Sequence, residues 1–437
     1  NNWQDIYKQK LVSVEEAAAK IESGDSCYIG ACSSAPIQLV EAITDRVDES
    51  ENVDMVTAMA LHPFTVLQSP DYIGKLNFHT VFYGPYERAF YGAGNVNVNS
   101  IHLSKVSYAL REIYKTNTLL ADVSLPDDEG YMYYGPMGVS VNGEVAEFAS
   151  KIIVQVNKFQ PKVSGVKHRI HVSEVTCLCE FDHELPELPQ PEVSEVDKKI
   201  AGLLLPRIKD GSCIQIGLGG LANAVGYGLE DKKNLSVHTE MFTDSMVYLA
   251  KKGVINGNIL SAFGLGSTEL YEFVGEGKVS LCPISIVNNP NEIAKNDNFV
   301  SINSCLMADL TGQVCSETLG HHMYSSTGGQ LEYAKGAAMS KGGQSFLCMR
   351  STTKAKDGTV SSTISLNLPA GEVVTTPRSE VMYLVTEFGI ADLYNQPIRE
   401  RVKRVIAIAH PDFRKQLVSD ALGAKLIREC DVEGIDA

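Results

Sequence analysis

The feature that most constrains this chain is a pattern it carries twice. Glu22-Ser23-Gly24-Asp25-Ser26-Cys27-Tyr28-Ile29-Gly30 matches Lys209-Asp210-Gly211-Ser212-Cys213-Ile214-Gln215-Ile216-Gly217 in the placing of both glycines and of the short apolar run between them. Downstream, Asn52-Val53-Asp54-Met55-Val56-Thr57-Ala58-Met59 aligns with Asn234-Leu235-Ser236-Val237-His238-Thr239-Glu240-Met241 once one short gap is allowed. Short apolar runs bounded by turn residues predict buried strands, and helical spacing around each copy predicts helices at 14–22 and 36–47, then at 196–208 and 224–229. Strands alternating with helices imply a largely parallel sheet. The repeat therefore predicts an α/β protein with two similar open α/β domains.

The stretch His183-Glu184-Leu185-Pro186-Glu187-Leu188-Pro189-Gln190-Pro191-Glu192 separates the copies. Each proline removes a backbone donor and restricts its predecessor, so neither a helix nor a central strand can continue through it. This predicts an N-terminal domain over 1–182, a linker over 183–195 and a C-terminal domain over 196–437. Further strands are expected at 259–263, 300–304, 344–349, 381–386 and 405–410.

A chain of 437 residues, 44% hydrophobic and 21% charged, is long enough for two or three domains with full cores. Its net charge of −15 argues against nucleic-acid binding, which needs a positive field to meet phosphates. An anionic ligand must then be held by local features, such as backbone N–H groups at a glycine turn. No apolar run approaches the roughly 20 residues of a spanning helix. The start Asn1-Asn2-Trp3-Gln4-Asp5 is polar and lacks a signal pattern, so a cytoplasmic protein without membrane attachment is expected. The 10 cysteines form no Cys-x-x-Cys pair, so no metal site is indicated.

The candidate for chemistry is Glu240. A carboxylate at the C-terminal end of a strand in an open α/β sheet points into the crevice where ligands bind. It is solvated, or a ligand anchor, or a nucleophile. The first copy has Ala58 at the matching position, so packing of the strand end does not require a carboxylate there. The preceding turn, Gly217-Leu218-Gly219-Gly220-Leu221-Ala222, also satisfies the G-x-G-x-x-G/A dinucleotide pattern, with Glu240 near the position of a ribose-binding acid. On those residues alone a nicotinamide-dependent dehydrogenase stays open.

The run His238-Thr239-Glu240-Met241-Phe242-Thr243-Asp244 resembles the nucleophile motif of the acetyl-CoA hydrolase/transferase family (family I CoA-transferases), in particular its 4-hydroxybutyrate and butyryl-CoA:acetate CoA-transferases. Matches continue in order along the chain through Ser124-Leu125-Pro126-Asp127-Asp128-Glu129-Gly130, Ser304-Cys305-Leu306-Met307-Ala308-Asp309-Leu310-Thr311-Gly312-Gln313, Gly328-Gly329-Gln330, Val385-Thr386-Glu387-Phe388-Gly389 and Ala409-His410-Pro411-Asp412-Phe413-Arg414.

The resemblance implies the CoA-transferase fold, with the acyl and CoA pocket at the interface of its two domains and Glu240 as nucleophile in the C-terminal domain. It implies ping-pong transfer of CoA between a short-chain acyl-CoA and a carboxylic acid such as acetate, through a glutamyl-CoA thioester. Gly217, Leu218, Gly219, Gly220, Leu221, Leu306 and Gly329 would contact CoA, which is a substrate, and no cofactor would be permanently bound. Backbone N–H groups at Gly219 and Gly220 are candidate oxyanion donors. Lys335 and Arg350 are candidate phosphate partners, while His238, His321 and His322 read as structural or pocket-lining. A hydrolase with the same nucleophile is the nearest alternative, and a homo-oligomer is left open.

Overall fold

The structure, a computed structural model, describes residues 2–435. Contacts divide the chain into two compact units. The first holds the chain up to Pro189 with Thr239–Asp244 and Ile259–Asn288, and the second holds Gln190–His238, Ser245–Asn258 and the chain from Asn289. One crossing falls inside the proline-rich stretch. The later crossings group two downstream segments, the first containing Glu240, with the N-terminal residues rather than with the rest of 196–437.

In the first unit seven strands, all parallel, lie in the order Cys177–Glu180, Lys151–Val156, Thr118–Val123, Ser26–Ile29, Val53–Thr57, Leu76–Thr80 and Asn97–Val98. Every residue of Ser26–Ile29 and Thr118–Val123 is buried. Covering on both faces is what makes a central parallel strand an uninterrupted run rather than an alternating one. Leu39, Val40 and Ile43 of the helix Ile37–Asp45 share a core with Val53, Met55, Leu76 and Phe78.

In the second unit the order is Gly389–Asp392, Tyr383–Thr386, Gln344–Cys348, Phe299–Ser304, Cys213–Ile216 and Leu235–Phe242. The pairings are parallel except for the antiparallel edge pair Tyr383–Thr386 and Gly389–Asp392. The strands Leu235–Phe242 and Ile255–Gly264 begin among residues of the second unit and end among residues of the first. From Cys213–Ile216 the chain proceeds to one side through Leu235–Phe242, and later to the other side through Phe299–Ser304 and Gln344–Cys348. The strand order thus reverses between Cys213–Ile216 and Phe299–Ser304. Open α/β sheets bind ligands outside the carboxyl ends of the strands at such a reversal.

The repeat survives in the backbone. Gly24 and Gly211 share a left-handed φ (+84° and +82°), as do Asn52 and Asn234 (+53° and +58°). Gly24 N–H donates to Glu51 O at 3.0 Å and Gly211 N–H to Lys233 O at 2.9 Å, so the turn before the first strand is tied to the turn before the second in both copies. Glycine and asparagine are the residues that tolerate that conformation.

The proline-rich stretch carries neither helix nor strand, yet it is held. Tyr271 Oη donates to Pro186 O at 2.6 Å, Leu188 N–H to Gly266 O at 3.0 Å, and Thr268 N–H to Glu187 at 2.7 Å. These residues all belong to the first unit. One expected strand is wrong. Residues 405–410 belong to the helix Ile398–Ile408 and the turn after it, with Arg401, Val402, Val405, Ile406 and Ile408 buried. The burial recurs at i, i+1, i+4, i+5 and i+7, the period of a helix face, and the β-branched cluster at its C-terminal end concealed it.

Candidate active site

The glycine turn closes the strand Cys213–Ile216 and opens the helix Gly220–Gly228. Its glycines are there for different reasons. Gly219 has φ +116°, which only glycine adopts without strain, and a Cβ on it would have nothing within 4 Å. At Gly220 a Cβ would lie 2.5 Å from both Glu192 O and Asp197 Oδ2, so the helix start can approach the neighbouring helix only without a side chain. Asp197 is fixed in turn by a capping box, its carboxylate accepting from Ser194 N–H at 3.0 Å while Ser194 caps Glu195–Leu204. Gly217 N–H donates to Ile302 O at 2.9 Å, which holds the turn against the end of Phe299–Ser304. Leu218 points outward at 47% exposure, whereas Leu221 is buried.

Glu240 is not the last residue of its strand, which runs on through Met241 and Phe242. It is half-buried between the buried Thr239 and Met241. Asn288 Nδ2 donates to Glu240 Oε1 at 2.8 Å, and Ser261 Oγ donates to the backbone oxygen of Glu240 at 3.3 Å. Asn288 is fully buried at the C-cap of the one-turn helix Ile284–Val287, and its Oδ1 has no hydrogen-bond partner among the described residues. A carboxylate with one oxygen held by a neutral amide has a fixed orientation, which suits a carboxylate nucleophile. Beyond it, the Asp244 carboxylate accepts from the hydroxyl of Ser267 and, at 3.2 Å, from Ser267 N–H, which ties the end of this segment to the helix Thr268–Gly275.

In the second unit a cavity of about 740 Å³ opens at the strand-order reversal, and Gly220, Leu221, Ser304, Leu306 and Arg350 line it. Leu306 is half-buried at that wall rather than part of a core. Gly329 is the buried N-cap of the helix Gln330–Met339 and is not on the cavity wall. Lys335 is exposed on the same helix. His238 is buried, with Asn296 Nδ2 at 3.2 Å from its Nδ1 and ring contacts to Phe299 and Tyr333, so it is a core residue. His321 and His322 are exposed on a short hairpin. Asn288 is the contact that reading the sequence missed, because nothing local links it to Glu240.

Residues 1–189 match the acetyl-CoA hydrolase/transferase N-terminal domain and residues 266–421 the acetyl-CoA hydrolase/transferase C-terminal domain. The chain belongs to the acetyl-CoA hydrolase/transferase family, a family of enzymes. It is 37% identical to the succinyl-CoA:cyclohexane-1-carboxylate CoA transferase of Geobacter metallireducens, across 96% of this chain and 97% of that protein. It is 36% identical to the 4-hydroxybutyrate coenzyme A transferase of Clostridium kluyveri, across 96% and 98%. Its structure is similar to the crystal structure of RipA from Yersinia pestis, with TM-score 0.90, 32% identity and coverage of 98% of this chain and 100% of that one.

Proposed function

We propose that this enzyme moves CoA between a short-chain acyl-CoA, butyryl- or 4-hydroxybutyryl-CoA, and a carboxylic acid such as acetate, through a glutamyl-CoA thioester on Glu240. The observation that carries the reading is the Glu240 carboxylate, half-buried near the end of its strand and gripped at one oxygen by the buried Asn288. A carboxylate oxygen of Glu240 attacks the acyl-CoA carbonyl, the C–S bond breaks, and an acyl-glutamyl anhydride and CoA thiolate result. The thiolate then attacks the glutamyl carbonyl and expels the acyl group as its carboxylate, leaving Glu240 as the thioester. A second carboxylic acid reverses both steps and departs as the new acyl-CoA. Each intermediate keeps the energy of the original thioester, so no other source of energy is required.

The residues Gly217, Leu218, Gly219, Gly220, Leu221, Leu306 and Gly329 are proposed to contact CoA. The cavity at the strand-order reversal supports this for Gly220, Leu221 and Leu306. CoA acts as a substrate in this scheme. Membership in a CoA-using family sets aside the dehydrogenase reading of the glycine turn. The family's description includes hydrolases, which differ by letting water take the place of the second acid. Incubation with butyryl-CoA or 4-hydroxybutyryl-CoA and acetate tests the reading: acetyl-CoA should form in proportion to acyl-CoA consumed. Release of free CoA without acetyl-CoA would assign a hydrolase instead.

A further inference from the structure

We propose that Glu144 and Ser285 are positioning residues for the reaction: the hydrogen bond between them seats the one-turn helix that aims the Asn288 amide at Glu240. The proposal rests on the reading of Glu240 as the nucleophile and adds what fixes the group that holds it.

Asn288 cannot locate itself. Its amide donates to Glu240 Oε1 at 2.8 Å, and its Oδ1 has no hydrogen-bond partner among the described residues although the side chain is fully buried. Its place is therefore set by its backbone, whose N–H donates to Ile284 O at 2.9 Å as the C-cap of Ile284–Val287. A helix of 4 residues does not hold itself, because nucleation costs more than a single turn returns. The turn must be held from outside.

Hydrogen bonds to the preceding segment do so. Ile284 N–H donates to Ser140 O at 2.9 Å, and Ser285 Oγ donates to Glu144 Oε1 at 2.9 Å. The same carboxylate oxygen accepts from the buried Ser107 Oγ at 3.0 Å. Glu144 lies in the first turn of the helix Asn142–Phe148 and Ser107 in the helix Val106–Glu112, and these helices pack together. One oxygen thus pins the turn that carries Asn288 to a pair of longer elements. All of these residues belong to the first unit, as does Glu240.

The arrangement is more than packing requires. Ile284 and Val287 already bury the apolar side of the turn, and Ser285 is only half-buried. A hydroxyl bonded to a carboxylate adds direction, which apolar contact lacks. A shift of the turn would carry the Asn288 donor off Glu240, and a misplacement of about 1 Å costs on the order of a hundredfold in rate where reacting groups must be aligned.

The test measures transfer from butyryl-CoA to acetate, and CoA affinity by calorimetry, in Ser285→Ala, Glu144→Ala, Glu144→Gln, Asn288→Ala and the double variant Ser285→Ala/Asn288→Ala, each checked by its melting temperature. Ser285→Ala and Glu144→Ala should each lower kcat about tenfold with CoA affinity unchanged. Glu144→Gln, whose amide oxygen can accept the same bonds, should recover most of the lost rate. In the Asn288→Ala background, Ser285→Ala should cost less than about twofold more, since a brace that acts through Asn288 has nothing left to position. Should Glu144→Ala fail to fold because it strands the buried Ser107 hydroxyl, Ser285→Ala carries the test. A Ser285→Ala enzyme with the wild-type kcat, or one that loses the same factor with and without Asn288, overturns the proposal and leaves the nucleophile reading intact. A Glu240→Ala enzyme that keeps the wild-type rate overturns that reading, and the proposal with it.

Discussion

At the scale of single residues, the account rests on Glu240 and on the amide that holds it. Glu240→Ala removes the proposed nucleophile, and turnover should fall by roughly three orders of magnitude or more with the melting temperature preserved, because the matching position of the first copy, just past the strand Val53–Thr57, is Ala58. Retention of more than a few per cent of the rate in the purified variant would assign the chemistry elsewhere. Asn288→Asp is the more discriminating change. It keeps the shape of the buried side chain but replaces the donor 2.8 Å from Glu240 with a like charge. Paired carboxylates cannot both ionise easily, so the rising limb of the pH–rate profile should move to higher pH, and an unmoved limb would show that Asn288 does not face the reacting carboxylate. Glu240 stands out in the sequence as a candidate because the repeat has Ala58 at the matching position. Asn288 does not, since its contact with Glu240 is made by tertiary packing of a one-turn helix with no periodic signal.

At the scale of elements, the strands that begin each repeat were legible because glycine and asparagine mark them. The left-handed residues Gly24, Gly211, Asn52 and Asn234 sit where the sequence has turn residues, and the strands start directly after the asparagines and two residues on from the glycines. The helix Ile398–Ile408 was not legible, because Val405, Ile406 and Ile408 have strand preference and packing alone overrides it. The face of the first sheet where Val53–Thr57 meets Leu76–Thr80 carries a testable hydrogen bond, with His79 Nε2 at 3.1 Å from Asp54 Oδ1. Hydrogen bonding from His79 holds the Asp54 carboxyl below its ordinary value. A carboxyl depressed by folding contributes stability in full above its unfolded pKa, about 4, and loses it as pH falls through the lower folded value. The melting temperature of Asp54→Asn should therefore lie below wild type at neutral pH, and the gap should close as pH falls below about 4. A gap that stays constant over that range would remove the pair from the stability of the sheet.

At the scale of the whole molecule, the cysteines report on how completely the cores close. Of 10 free cysteines only Cys430 is exposed. Burial pushes the thiols of Cys27 and Cys179 up to about 12 and that of Cys213 up to about 11, so none of them offers a thiolate at neutral pH. A chromogenic thiol reagent should titrate one group per native chain and the remainder only on unfolding, whereas several fast-reacting thiols would mean that the cores open readily. The central claim concerns covalent chemistry at Glu240, and one measurement addresses it directly. Incubation with acyl-CoA and no acceptor acid, followed by borohydride, should inactivate the enzyme, because a glutamyl thioester is reduced where a free carboxylate is not. Peptide mass mapping should then find the change at Glu240. Full resistance to borohydride in the presence of acyl-CoA, or a modification at any other residue, would contradict the account.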